Sequence, residues 1–388
     1  MPGHMVDRSD LLSRLERLLR ESPIVALLGA RQVGKSTLAR ELVRRRGGEV
    51  FDLEDPAVVS RLQDPTTALA PLRGLVVLDE IQRRPELFPV LRVLADRPRR
   101  PARFLVLGSA SPELLRQTSE TLAGRVAFVE LGGFGLDEVG VRAVTRLWVR
   151  GGFPRSFLAR SDAESARWRE DFIRTFLERD LPQLGIQVGA VAMRRFWTMV
   201  AHHHGQTWNS SELARSFAVS DTTTRRWLEL LAATFMVRVL QPWSENIGKR
   251  QVKAPRAFVA DSGLLHTLLG IGTARELESH PKVGASWEGY GIEIVLRHLG
   301  ARPHEAFYWR THTGAELDLL IVRGRTRLGF EFKRTLAPAV TPSMRSALAD
   351  LGLTRLDVIY AGEDTYPLAP KVRAVPLARV LEDVAPLR

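Results

Sequence analysis

The stretch Leu27-Leu-Gly-Ala-Arg-Gln-Val-Gly-Lys-Ser-Thr-Leu-Ala-Arg40 decides how this chain is read. Inside it, Gly29 to Ser36 fits the pattern GxxxxGK[ST]. The strand-like run Ile24-Val-Ala-Leu-Leu28 precedes it and a helical pattern from Thr37 to Arg44 follows. In such a strand-loop-helix, glycines let backbone amides turn inward around phosphate oxygens, and the helix start adds positive dipole. The lysine, Lys35, reaches the outer phosphates and the hydroxyl of Ser36 ligates magnesium. The expected binding set is therefore Gly29, Ala30, Arg31, Gln32, Val33, Gly34, Lys35, Ser36 and Thr37.

Downstream, the apolar run Leu75-Val-Val-Leu78 reads as a buried strand that ends in Asp79-Glu80. Ligands of open α/β sheets bind at the carboxyl ends of the strands, so both carboxylates are expected beside the phosphate loop. Asp79 would hold the magnesium and its water shell, and Glu80 would polarise the attacking water. A further strand, Phe104-Leu-Val-Leu107, leads into Gly108-Ser109-Ala110-Ser111. Ser109 is either a contact to the terminal phosphate or water, or an ordinary turn hydroxyl.

These strand ends, with Val50-Phe-Asp52 and Arg125 to Glu130, resemble the core of the AAA+ ATPases. The resemblance implies an α/β fold with five parallel strands in the order 5-1-4-3-2, and ATP with Mg2+ as the bound group. It also implies that Arg125, in Leu122-Ala-Gly-Arg125, senses nucleotide in cis or from a neighbour. A surface salt bridge is the alternative.

The length of 388 residues exceeds what one hydrophobic core organises, so several domains are expected. The segments Leu131-Gly-Gly-Phe-Gly135 and Arg150-Gly-Gly-Phe-Pro154 are turn-forming boundaries. The divisions are 1–135 for the ATPase, 136–190 for a helical linker, 191–262 for a winged helix-turn-helix and 263–388 for the last domain. Trp168 to Leu181 reads as an amphipathic helix with Trp168, Phe172, Ile173 and Phe176 inward and Arg169, Glu170, Arg174 and Glu178 outward. Adjacent residues on a helix diverge, so His202-His203-His204 is not expected to share a metal ion.

Asn209 to Leu231 reads as two short helices joined by a turn, each with a capping residue, Asn209 (paired with Glu212) and Ser220. Thr224, Trp227, Leu228 and Leu231 face inward, leaving Thr222, Thr223, Arg225 and Arg226 to meet DNA. The strand-like Phe235 to Leu240 and Arg256 to Ala260 bracket a loop with Lys249, Arg250 and Lys253, as a basic wing would. The net charge of +12 and pI near 10.7 agree with a polyanionic partner, and packing on protein is the alternative use of such a module.

In the C-terminal part, Trp287-Glu288 opens a helix, and strands are expected at Tyr308 to Arg310, Ala315 to Ile321 and Phe330 to Lys333. Alternation puts Glu316 with Asp318 on one face, and Glu331 with Lys333 on one face. If the two strands form a hairpin, Asp318 and Glu331 converge with Lys333 beside them. A structural salt bridge explains this pattern. So does a resemblance to the PD-(D/E)xK nuclease fold, an α/β restriction-endonuclease-like domain, which would make Asp318, Glu331 and Glu288 ligands of Mg2+ or Mn2+ and Lys333 the positioner of water. The helix from Ser343 to Leu348 and the strand Leu356 to Tyr360 complete the pattern.

Nearly the whole chain is similar to bacterial ATP-binding proteins that carry a DUF4143 C-terminal domain; Arg256 stands where that family usually has lysine. The expected function is an ATPase that couples nucleotide state to DNA binding and metal-dependent DNA cleavage. The alternative is a nucleotide-gated switch that binds DNA or a protein partner, with an inactive nuclease-like domain. No apolar run is long enough to span a bilayer, there is no cysteine, and Met1 to Asp10 lacks the apolar stretch of a secretory leader, with Met1 to His4 open to being a cloning scar. Cytoplasmic location without membrane contact is the expectation.

Overall fold

The computed structural model describes residues 6–98, 102–109, 120–184, 188–244 and 254–387. The expected basic residues Lys249, Arg250 and Lys253, and also Ala110, Ser111 and Met1 to His4, lie outside the described residues. The chain divides into two compact units, one from Met1 to Gly133 with Ala233–Phe235, the other comprising Phe134–Ala232 and Met236–Arg388.

In the first unit, helix α1 (Ser9–Glu21) buries Leu12, Leu15 and Leu19 at helical spacing. It precedes β1 (Ile24–Gly29), every residue of which is buried. The continuous apolar run fits a central parallel strand covered on both faces. Helix α2 (Lys35–Arg46) starts directly after the loop and is followed by β2 (Glu49–Asp52) and β3 (Gly74–Asp79). Helix α3 (Leu87–Ala95) packs Leu87, Phe88, Leu91 and Leu94 into the same core, ahead of β4 (Ala102–Ser109) and β5 (Val126–Glu130). The five strands pair in parallel in the order β2-β3-β4-β1-β5, the order implied by the AAA+ resemblance. Register aligns Gly29 with Ser109 and Asp52 with Asp79, so the functional ends of β1, β3 and β4 lie along one edge.

The second unit begins with helices. Helix α4 (Asp162–Thr175) runs into a π turn, Phe176–Asp180, and α5 (Ala190–His202) follows. Phe172 and Ile173 are buried as expected, but Arg169, expected outward, is 1% exposed. It donates to Thr267 Oγ1 and Ser165 Oγ, both at 2.7 Å, which compensates the buried charge. Helices α6 (Ser210–Phe217) and α7 (Asp221–Ala233) are joined by a short turn, with Ala218 in the left-handed region (φ 52°). Asn209 Oδ1 accepts from the Glu212 amide and Ser220 Oγ from the Thr223 amide, each at 3.2 Å.

Next come β6 (Val237–Pro242) and β7 (Arg256–Val259), an antiparallel pair. Strand β6 also pairs in parallel with β8 (Ala306–Arg310). The two strands read as a wing thus form one edge of a larger sheet, and the division expected at residue 262 runs inside a single unit because this pairing crosses it. Helix α8 (Ser262–Leu268) and helix α9 (Val283–Leu299) come between β7 and β8. Strands β9 (Glu316–Arg323) and β10 (Thr326–Lys333) form the expected hairpin, and helix α10 (Pro342–Asp350) leads to β11 (Arg355–Tyr360), β12 (Tyr366–Ala369) and β13 (Val372–Pro376). The eight-stranded order is β12-β13-β11-β10-β9-β8-β6-β7.

Separate apolar clusters use alternate residues of this sheet. Tyr308, Leu319, Ile321, Phe330 and Phe332 pack with Trp287, Ile292 and Val295 of α9, whereas Trp309, Leu317, Leu320 and Val358 pack with Met344 and Ala347 of α10. Leu317 and Leu319 fall in different clusters because the β8–β9 register shifts between Phe307, opposite Leu320, and Trp309, opposite Leu317. The shift re-aims the strand at Asp318.

Candidate nucleotide site and a charged centre in the second unit

The phosphate loop is shaped by two residues with positive φ, Gln32 (63°) and Gly34 (99°), the latter directly before α2. Gly29 must lack a side chain, since a Cβ there would meet the Leu131 carbonyl oxygen at 2.2 Å. Lys35 is 6% exposed, and its ammonium donates to the carbonyls of Gly29 (2.9 Å) and Ala30 (2.8 Å). An ammonium has three donors, so one remains for an incoming anion. Burial pushes this lysine down to about 8, with Glu80 and Asp79 holding it up.

Asp79, at the end of β3, is 4% exposed. Burial pushes its carboxyl above the usual range, and a hydrogen bond from Ser36 opposes that shift. Ser36 and Asp79, the pair expected to hold magnesium, are therefore brought together. Glu80 follows in the left-handed region (φ 58°), a conformation costly for a side-chain-bearing residue, and its Oε2 accepts from Gln82 Nε2. Ser109 is 4% exposed and its Oγ has no hydrogen-bond partner among the described residues. A buried hydroxyl without a partner is costly, and this one stands one strand from the phosphate loop.

Three further residues of the expected site are placed as follows. Arg31 pairs with Glu54 (3.5 Å), and Thr37 is exposed. Arg125 precedes β5, whose first residue, Val126, pairs with Ile24 at the start of β1. That is the sheet edge opposite the loop, about 16 Å of strand away. There Arg125 makes a bidentate pair with Asp96 (2.6 and 3.0 Å), the surface ion pair that was its alternative reading. Arg8, which the sequence reading passed over, donates to the Val33 carbonyl at 3.1 Å and steadies the loop.

In the second unit the β9–β10 hairpin brings the expected acids together. Lys333 Nζ lies 2.8 Å from Glu331 Oε2 and 3.7 Å from Asp318 Oδ2, and the Phe332 amide donates to Asp318 Oδ2 at 3.0 Å. Glu288, from α9, joins them through Arg256, whose Nη1 is 3.3 Å from Glu288 Oε1 and 3.6 Å from Asp318 Oδ1. Arg256 Nη2 also bonds Glu316 Oε2 at 2.7 Å. Burial pushes Glu331 up to about 8 and raises Glu288 well above the carboxylate range, reinforced in both by the negative charge of Asp318. Against the lowering effect of its burial, Lys333 is raised by Asp318 and Glu331. Among the described residues no group of three or more His, Cys, Asp or Glu side chains is arranged to hold a metal ion. The donor set expected for Mg2+ or Mn2+ does not fit such an ion, because Arg256 and Lys333 already place a cation against at least one oxygen of Glu288, Asp318 and Glu331.

The residues expected to meet DNA lie on α7. Thr222, Arg225 and Arg226 are exposed and Thr223 partly so, while Thr224, Trp227, Leu228 and Leu231 are buried. No described helix is long and apolar enough to cross a membrane.

An AAA domain family matches residues 21–140, a domain of unknown function (DUF8612) matches 141–275, and a domain of unknown function (DUF4143) matches 283–380. With the sheet order and phosphate loop, these matches define an AAA-type P-loop ATPase with a DUF4143 C-terminus. The chain is 52% identical over 377 residues to "Uncharacterized protein Rv2008c" of Mycobacterium tuberculosis, covering 97% of this chain and 85% of that protein. "Uncharacterized protein Mb2031c" of Mycobacterium bovis matches to the same extent. The chain belongs to the family of these mycobacterial proteins. Among solved structures, the Walker-type ATPase paby2304 of Pyrococcus abyssi aligns at 16% identity and a TM-score of 0.49, over 69% of this chain and 97% of that one. The P-loop NTPase domain of an Escherichia coli sigma-54 transport activator aligns at 22% identity and 0.23, over 32% of this chain and 98% of that one.

Proposed function

We propose that this ATPase hydrolyses Mg·ATP at the edge formed by β1, β3 and β4 and uses its nucleotide state to control DNA binding by the second unit. The observation that carries the reading is the buried Lys35 ammonium above the loop carbonyls, with Ser36 on Asp79 and Glu80 next in chain. Magnesium held by Ser36 and Asp79 would supply charge neutralisation between phosphate oxygens. The loop amides and Lys35 bind and orient the triphosphate, and Glu80 holds a water for attack. The winged-helix reading of α6, α7 and the β6–β7 pair is supported by the exposed Thr222, Arg225 and Arg226. The net charge of +12 favours a polyanion.

The test is DNA binding measured without nucleotide, with ADP and with ATP, for the wild type and Lys35→Ala. Nucleotide-dependent affinity in the wild type that is absent in Lys35→Ala supports the switch. Equal affinity in every state removes it.

Metal-dependent cleavage of DNA is the competing reading. It is favoured by the convergence of Asp318, Glu331 and Lys333 and opposed by Arg256. Any cleavage that survives Asp318→Ala belongs to another centre.

A further inference from the structure

Arg256 is a strand residue, 4% exposed, whose guanidinium meets acids from different elements. Glu288 comes from α9, 32 positions away, and Glu316 and Asp318 from β9. The guanidinium also lies over the Tyr308 ring, 4.8 Å from its centroid, which fixes it from the apolar side. The opposite end of the cluster is held by Lys333, between Glu331 and Asp318. Asp318 thus lies within ion-pair distance of both cations and accepts a hydrogen bond from the Phe332 amide. Acids brought this close out of water require positive charge beside them. A guanidinium keeps its proton at any pH a protein survives, offers no lone pair to a metal, and repels a second cation placed among its own partners.

Access does not explain why no metal-ligating group of three is found among the described residues. Arg256, Glu288 and Asp318 line an open cleft of about 470 Å³ that also includes Thr207 and Arg310. Glu288 and Lys333 line a second cleft of about 530 Å³. A hydrated divalent ion can therefore reach Glu288, Glu316 and Asp318 from solvent. The cluster also retains one oxygen that nothing in it satisfies: Glu331, 3% exposed, has an Oε1 with no hydrogen-bond partner among the described residues.

We infer that Arg256 is the resident cation of the DUF4143 centre: its guanidinium, in place of a divalent ion, gathers Glu288, Glu316 and Asp318, and the wild-type centre takes up neither Mg2+ nor Mn2+. This inference goes beyond the nucleotide-switch reading and does not depend on it, since its readout uses neither ATP nor DNA.

The experiment titrates Mn2+ into the nucleotide-free full-length chain by calorimetry. Wild type and Asp318→Asn are expected to bind the same number of Mn2+ equivalents, whatever the phosphate loop contributes. Arg256→Met should gain one equivalent, and adding Asp318→Asn to it should remove that equivalent again. A Mn2+ equivalent present in the wild type and missing in Asp318→Asn overturns the inference, as does a folded Arg256→Met that gains none. If Arg256→Met does not fold, the comparison of wild type with Asp318→Asn decides alone. Thermal unfolding provides the parallel readout: Mn2+ that raises the wild-type melting temperature but not that of Asp318→Asn also overturns it.

Discussion

Gly29 lies directly against Leu131: a Cβ on the glycine would sit 2.2 Å from the leucine carbonyl oxygen, and the Leu131 amide donates to Leu28 at 2.7 Å. The contact joins the end of β1 to the chain leaving β5, and so fixes the backbone that opens the phosphate loop. A backbone carbonyl tied into a sheet cannot swing aside as a flexible side chain would. Gly29→Ala should therefore cost about 1–3 kcal/mol of stability, the usual range for overpacking, and weaken ATP binding at the same time. Urea denaturation and a nucleotide titration read the two effects. An unchanged midpoint removes the argument.

Lys35 sets a pH dependence. Burial lowers it from 10.5 to about 8, so between these values the unfolded chain holds a proton that the folded chain has released. Stability from this group accordingly rises with pH across that window. Binding of phosphate has the opposite sign, because it needs the ammonium. ATP affinity should fall as pH rises through about 8, with proton uptake on binding in that range. Calorimetry in buffers of different ionisation enthalpy detects the uptake, and Lys35→Ala should abolish binding altogether.

Glu80→Gln should preserve ATP binding and block hydrolysis, since the amide keeps the shape but cannot accept a proton or polarise water as a carboxylate does. Single-turnover measurement of phosphate release tests this directly. Turnover at the wild-type rate would refute the assignment.

Ser109 Oγ is buried without a partner, so Ser109→Ala removes an unsatisfied polar group and should leave stability unchanged or slightly higher. If the hydroxyl meets the terminal phosphate or the water, kcat should fall while the melting temperature holds. Unaltered kcat assigns Ser109 no part in turnover.

Arg225 and Arg226 project from α7, and replacing both with alanine should weaken DNA binding without changing DNA-free ATP turnover. Each lost phosphate contact should reduce the salt dependence of log K by about 1. Binding with an unchanged salt slope would place the DNA elsewhere.

The sequence by itself determined the elements whose information is contiguous. A buried strand, a glycine-bearing turn and a helix start lie within Ile24 to Arg46, so the phosphate loop was legible as chemistry before any fold was known. The carboxylates at Asp79 and Glu80 were legible for the same reason, since an apolar run ends where they begin. The caps at Asn209 and Ser220 follow from local pattern as well, while the β9–β10 hairpin was legible only as a condition on which Asp318 and Glu331 would converge.

Tertiary structure decided what depends on distant partners. Arg125 could be placed only once Val126 was seen opposite Ile24, because a strand's neighbours fix which end of the sheet a flanking residue occupies. Arg169, on the polar side of its helix by periodicity, is buried because Ser156, Ser165 and Thr267 bond its guanidinium. The strands β6 and β7 join the C-terminal sheet through pairing with residues more than sixty positions on, for which local propensity carries no signal. Arg256 shows the same limit in the charged centre. Its sequence neighbourhood reads as strand, and its charge acquires meaning only when folding removes water from Glu288, Glu316 and Asp318 and leaves a guanidinium among them. Local pattern records which groups are present; desolvation and long-range pairing decide which of them must neutralise one another.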